Sequence, residues 1–220
     1  MRRFWFFDLD GTLADTDPDI REAWKAALRD LRLECPTFDT QFVAGPPIEE
    51  MVKILFPDTF TDALARDIRA GFARHYDNDG FPNTYEYPGV MDLVKALKAR
   101  GATVAIVTNK RHVGALAMAK KFGWGEVFDG IYSGDMFADS DGSDGRPAGK
   151  LRKPDLLRWV LGHYGARPED AVLVGDTVND FEAARKNGVL SVGVTWGYGK
   201  ASEFAEADVT VSSPDRIAEL

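Results

Sequence analysis

The chain reads as an α/β protein with a mainly parallel sheet core and an inserted α-helical cap domain. Three observations predict this. Short uninterrupted apolar runs recur at residues 3–9, 103–107 and 171–174, as expected for strands buried on both faces. Amphipathic helical patterns at roughly 89–100, 111–123, 154–164 and 178–187 alternate with the later runs, the mark of βαβ units. The stretch 15–86 breaks that rhythm directly after the first strand.

Taken in order, the first strand is aromatic, Phe4-Trp5-Phe6-Phe7, and passes into Asp8-Leu9-Asp10-Gly11-Thr12. The interrupting stretch predicts helices near 17–33, 47–55 and 61–78, with a possible short strand near 40–44. The chain rejoins the sheet near Pro88-Gly89, so the domains expected are 1–14 with 87–220, and 15–86. Weaker strand patterns lie at 127–132 and 190–194. Gly101, Gly123, Gly165 and Gly188 stand where the preceding helices should stop. Residues 139–149, rich in Asp, Ser and Gly, have too little apolar content to pack and predict a mobile loop. Their spaced aspartates fail the calcium-loop pattern, because Asp144 and Lys150 stand where Gly and Glu are needed.

Composition narrows the partners. With 27 Lys+Arg against 35 Asp+Glu the net charge is −8, which disfavours a nucleic-acid backbone as partner. A small anion can still enter a locally positive pocket. One cysteine, Cys35, precludes an intrachain disulfide and fits a reducing, cytoplasmic setting. It reads as a small apolar residue of the first inserted helix. The apolar run after Met1-Arg2-Arg3 ends at Asp8, too soon for a signal peptide, and no stretch has the length of a membrane span. Oligomeric state is not encoded legibly.

The chemistry gathers at strand ends. Alternation along an extended strand end would aim Asp8 and Asp10 the same way, into the crevice where open α/β sheets bind ligands. Two like charges there call for a divalent cation. A later strand ends in Gly175-Asp176, with Asp180 one helical turn on; either aspartate is alternatively a helix cap. A set of oxygens without His or Cys suits Mg²⁺ better than zinc. Thr108-Asn109 closes another strand with a hydroxyl and an amide, and Lys153-Pro154 opens a helix with a fixed positive charge. A phosphoryl group in transfer needs such donors and cations. Singly, Thr108 is also a plausible helix cap and Lys153 a solvated lysine, while Lys150 competes for the cation role. Lys153 is preferred because it directly precedes the helix leading to the Asp176 strand.

In this order the pieces resemble the haloacid dehalogenase superfamily: an Asp-x-Asp-Gly-Thr strand end, a strand ending in Ser/Thr, a Lys, and a Gly-Asp-x-x-x-Asp cluster, spread over residues 8–180. The resemblance implies a Rossmann-like core and phosphate-ester hydrolysis, with Asp8 as nucleophile and Asp10 as acid/base. It further implies Thr108 and Lys153 on the phosphate, Mg²⁺ on Asp8, the Asp10 carbonyl and Asp176, and Asp180 as a supporting carboxylate. Asp10 matches the phosphatase and mutase branches, since the dehalogenase branch carries Tyr there and the phosphonatase branch Ala. The inserted helices look like the first-type cap. The segments Leu13–Ile20, Gly45-Pro46-Pro47 and Thr195-Trp196-Gly197-Tyr198-Gly199 are similar to phosphoglycolate-phosphatase-like members. The latter two also read as a helix start and a turn after a strand.

The expected function is therefore magnesium-dependent hydrolysis of a small phosphorylated metabolite, phosphoglycolate-like or nucleotide-like, through an aspartyl-phosphate. The cap would close over the site, with candidate substrate contacts at Gly45, Pro46 and on to Glu50, and further candidates Lys53, Arg74 and His75. The last three read equally as solvated helix-face charges. The alternatives are a sugar phosphomutase with the same Asp pair, or a non-catalytic binding protein on this fold.

Overall fold

In a computed structural model, which describes residues 2–77, 80–143 and 145–220, the first apolar run forms β1 (Phe4–Phe7). The strand stops short of the run's end because the Leu9 carbonyl turns to accept from the backbone N–H groups of Thr12, Leu13 and Ala14. A short strand β2 (Ala14–Asp15) follows, then α1 (Asp17–Asp30), α2 (Phe38–Gln41), α3 (Ile48–Leu55) and α4 (Asp62–Tyr76). The chain returns through β3 (Tyr85–Glu86) and continues as α5 (Val90–Ala99), β4 (Thr103–Thr108), α6 (His112–Phe122) and β5 (Gly130–Ser133). It ends with α7 (Lys153–Tyr164), β6 (Ala171–Gly175), α8 (Val178–Asn187), β7 (Leu190–Val194), β8 (Val209–Val211) and α9 (Pro214–Ile217).

The chain divides into two compact units, 1–15 with 85–220, and 16–84. The first holds a six-stranded sheet of order β5-β4-β1-β6-β7-β8 with every pair parallel. Strand order runs outward from β1 through β4 to β5, and the chain then crosses back to β6. The switch point of the sheet is thus the β1–β6 pair, the place where doubly wound sheets bind ligands. Phe7 lies opposite Val174 of β6 and Ile106 of β4. Trp5, Phe6 and Phe7 are buried, as are Val104–Val107 and Ala171–Val174. That burial on both faces is why these strands read as apolar runs without alternation.

The second unit is helical. Trp24 and Ala27 of α1 are buried with Ala65 and Ile68 of α4, and a methyl group on Gly71 would meet the Ala27 side chain, so α1 and α4 approach closely. The strand anticipated near 40–44 is instead the helical turn α2. Its Phe38 stacks on Phe42 at 4.7 Å, a pairing that helical four-residue spacing makes and strand alternation does not. Cys35 lies beyond α1 in the turn before α2, half-buried, with Sγ 3.9 Å from the Leu55 carbonyl oxygen. The first inserted helix ends at Asp30, short of position 33, because Arg32 adopts a left-handed φ of 55°. The expected end of the third inserted helix at 78, and Asp144 within 139–149, lie outside the described residues.

In the 127–132 pattern the strand begins only at Gly130, because the Phe128 N–H is drawn back onto the Trp124 carbonyl. Strands β2 and β3 form an antiparallel ribbon, Ala14 opposite Glu86 and Asp15 opposite Tyr85, through which the chain leaves and re-enters the sheet unit. No helix among the described residues is long and apolar enough to cross a membrane.

Candidate active site

At the switch point, the Asp8 N–H donates to Val174 O at 2.9 Å, which continues the β1–β6 ladder one step past β1. Asp8 and Asp176 thereby leave adjacent strands at the same edge. Asp180 arrives on the first turn of α8, and the Asp8, Asp176 and Asp180 carboxylates each offer an oxygen within 4.8 Å of the others. The Cβ that Gly175 lacks would coincide with the Asp180 carboxyl, so only glycine lets that carboxylate fold back against the strand end.

Lys153, at the start of α7, is 2 % exposed. Its Nζ lies 2.8 Å from Asp8 Oδ2 and also pairs with Asp180 Oδ1. The second Asp180 oxygen accepts from the Thr177 N–H at 3.1 Å and from the Thr177 hydroxyl at 3.0 Å. Asp180 therefore caps α8 with one oxygen and faces Lys153 with the other. Lys150 is exposed.

Asp176 is gripped from the turn after β7. The Tyr198 N–H donates to its Oδ2 at 2.7 Å, and the Thr12 hydroxyl lies 3.3 Å from its Oδ1. The same turn is fastened to the first loop, since Trp196 Nε1 donates to the Thr12 carbonyl at 3.2 Å and the Tyr198 hydroxyl to Asp15 at 2.9 Å. Gly11, with a φ of 77°, faces Asp176 so closely that any Cβ there would fall on the carboxylate.

These charges do not balance. Burial pushes the Asp176 carboxyl up to about 8, with the neighbouring Asp180 and Asp8 adding to it and the Tyr198 N–H and Lys153 opposing. Burial also pushes Asp8 up to about 6, against the pull of Lys153 and with help from Asp180 and Asp10. Burial would lower Lys153, but Asp180 and Asp8 outweigh it and hold the ammonium above its ordinary value. Three buried carboxylates facing one buried ammonium form an oxygen-only site short of positive charge, and a hard divalent cation fits it.

The Asp10 side chain is not part of the three-carboxylate group. Instead Asp10 Oδ1 lies 2.8 Å from Lys110 Nζ. Lys110 was not anticipated, although counting two residues past the Thr108 strand end, as from Asp8 to Asp10, would have found it. Thr108 is buried at the end of β4 and its hydroxyl accepts from the Lys110 N–H at 3.1 Å, while Asn109 is exposed. Tyr198 was also missed as a contributor, since it acts through its backbone. In the helical unit, Gly45 and Pro46 precede α3, with Gly45 at a φ of 114°. There Arg74 and His75 both meet Asp30, at 3.4 and 2.8 Å, and Lys53 lies 5.1 Å from the centre of the Phe60 ring.

A doubly wound sheet with an acidic cluster and a buried lysine at its switch point defines a class, the α/β phosphohydrolases. The chain belongs to the haloacid dehalogenase-like hydrolase family, whose sequence profile matches residues 5–194. It is 33% identical over 199 residues to a phosphoglycolate phosphatase of Agrobacterium fabrum, covering 87% of this chain and 80% of that one. It is 30% identical to a phosphoglycolate phosphatase of Aquifex aeolicus, covering 99% and 96%. A solved haloacid dehalogenase-like hydrolase from Streptococcus pneumoniae superposes with a TM-score of 0.82 at 25% identity, covering 99% of this chain and 97% of that one. The enzyme class is phosphoric monoester hydrolase.

Proposed function

We propose that the chain is a magnesium-dependent phosphatase that hydrolyses a small phosphate monoester through an aspartyl-phosphate on Asp8. The observation that carries this reading is the convergence of Asp8, Asp176 and Asp180 with the buried Lys153, which pairs with both Asp8 and Asp180. The names of the relatives favour the phosphoester of a small carboxylic acid, with 2-phosphoglycolate the first candidate. They also favour hydrolysis over mutase chemistry. A cytoplasmic setting follows from such a metabolite together with a single cysteine.

Asp8, Asp176 and the Asp10 carbonyl would hold Mg²⁺, with Asp180 supporting. When bound, the ion would neutralise the carboxylates and polarise phosphoryl oxygens. Lys153 and Thr108 bind and orient the phosphoryl group. An Asp8 oxygen attacks phosphorus as the phosphorus–ester oxygen bond breaks, and that oxygen leaves with a proton from Asp10 as the alcohol. Asp10, now a carboxylate, takes a proton from water. The water oxygen bonds to phosphorus, the bond to Asp8 breaks, and phosphate departs with Asp8 restored.

The test is phosphate release by purified protein with Mg²⁺ over 2-phosphoglycolate, nucleoside monophosphates, sugar phosphates and pyrophosphate. The reading expects 2-phosphoglycolate to turn over fastest. No turnover on any ester would refute the enzyme. A sugar phosphate that isomerises without free phosphate would assign a mutase instead.

A further inference from the structure

Three of the four carboxylates of this edge pair with a lysine. Lys153 pairs with Asp8 and Asp180, and Lys110 pairs with Asp10. Strands β1 and β4 are adjacent, with Phe7 opposite Ile106, so Asp10 and Lys110 project from neighbouring strand ends. The Lys110 backbone is fixed by the Thr108 hydroxyl. Its side chain is 5% exposed, against 24% for Asp10. An ammonium withdrawn from water to this extent loses rotamer freedom, and its 2.8 Å contact to Oδ1 restricts rotation of the Asp10 carboxyl.

We propose that Lys110 is a positioning residue for the Asp10 carboxyl: by holding Oδ1 it presents Oδ2 to the ester oxygen of the substrate. The inference rests on the proposed role of Asp10 and adds to it the group that aims the acid. Aiming matters because proton delivery depends on reach and alignment at the moment the bond breaks. In the step affected, the Oδ2–H bond breaks as the leaving oxygen, carrying the electron pair of the phosphorus–oxygen bond, takes the proton. Lys110 itself gains and loses nothing.

A residue that aims the acid has a signature that a merely structural lysine lacks. Alkoxide is a poor leaving group and needs the proton, whereas p-nitrophenolate leaves without it. The experiment compares kcat/KM, which reports the transfer to Asp8 and not the later hydrolysis shared by both esters, for ethyl phosphate and p-nitrophenyl phosphate at saturating Mg²⁺ in wild type, Lys110→Met, Lys110→Arg and Asp8→Asn. General acid catalysis contributes typically about 10²- to 10⁴-fold. Lys110→Met should therefore lose at least about tenfold more kcat/KM on the alkyl than on the aryl ester, and Lys110→Arg should recover part of that difference.

An equal loss on both esters, or no loss on either, overturns the positioning role. So does an equal rise in KM on both esters with kcat unchanged, which would make Lys110 a substrate-binding group. Asp8→Asn separates the two levels. If it stays active, the parent reading fails; if it is inactive while Lys110→Met loses both activities equally, only the positioning role fails. If Lys110→Met does not fold, the same comparison of kcat/KM ratios in Lys110→Gln decides, since its amide keeps a polar side chain and removes the ammonium.

Discussion

Lys153 Nζ lies 2.8 Å from Asp8 Oδ2, and the lysine side chain is 2% exposed. A buried ammonium of this kind is stable only with its partners, and the partners only with it. Removing one member of a buried pair typically costs about 3–5 kcal/mol, because the remaining charge is left uncompensated. Lys153→Ala should thus lower the urea-unfolding free energy by about that amount and abolish turnover. A variant that keeps wild-type stability would show that Asp8 and Asp180 do not depend on the lysine.

The tight approach of Gly11 to Asp176 yields a second expectation. A Cβ at position 11 would displace the carboxylate and occupy a left-handed backbone conformation at once. Gly11→Ala should weaken Mg²⁺ binding by at least about tenfold, the scale expected when the support of a metal ligand is disturbed. Isothermal titration with Mg²⁺ measures this directly.

The pH dependence follows from the raised carboxyls. Asp176 is pushed up to about 8 and Asp8 to about 6 by burial, both above the ordinary value of 3.8. Between 3.8 and these values the folded state holds more protons than the unfolded one. Stability without metal therefore falls as pH rises from about 4 to 8 on account of this pair. Thermal unfolding in EDTA should show a lower Tm at pH 8.5 than at pH 6, and Mg²⁺ should raise Tm more at pH 8.5, where it displaces no proton. Equal Mg²⁺ shifts at the two pH values would contradict the assignment of these carboxylates to the ion.

In the helical unit, Asp19 is buried and accepts from the Asn83 N–H at 3.1 Å, the Asn83 amide at 2.9 Å and the Thr84 hydroxyl at 2.7 Å. Asp19→Ala leaves these donors without their acceptor, at about 1–3 kcal/mol for a buried unsatisfied group. Denaturant unfolding should report that loss, and hydrogen exchange at the Asn83 amide should quicken.

Much of this was legible in sequence because buried parallel strands leave an unmistakable apolar run, and because the acids stand directly at the ends of those runs. Asp8, Asp176, Asp180 and Lys153 meet for that reason. What escaped depended on contacts between elements distant in sequence. The Asp10–Lys110 contact joins two neighbouring strand ends, which alternation along either strand could not reveal. Tyr198 supports Asp176 through a backbone N–H, a contact that residue identity does not signal, while its hydroxyl fastens the turn to Asp15. The expected strand near 40–44 gave way to the turn at Phe38–Gln41, where Phe38 stacks on Phe42 at four-residue spacing.

The central claim is that Asp8 attacks phosphorus. Its most direct test is phosphate release from 2-phosphoglycolate with saturating Mg²⁺ by wild type and by Asp8→Asn, a substitution that keeps the shape and removes the nucleophilic charge. The account predicts turnover in the wild type and none above background in Asp8→Asn. Retention of most of the wild-type rate by Asp8→Asn would contradict it.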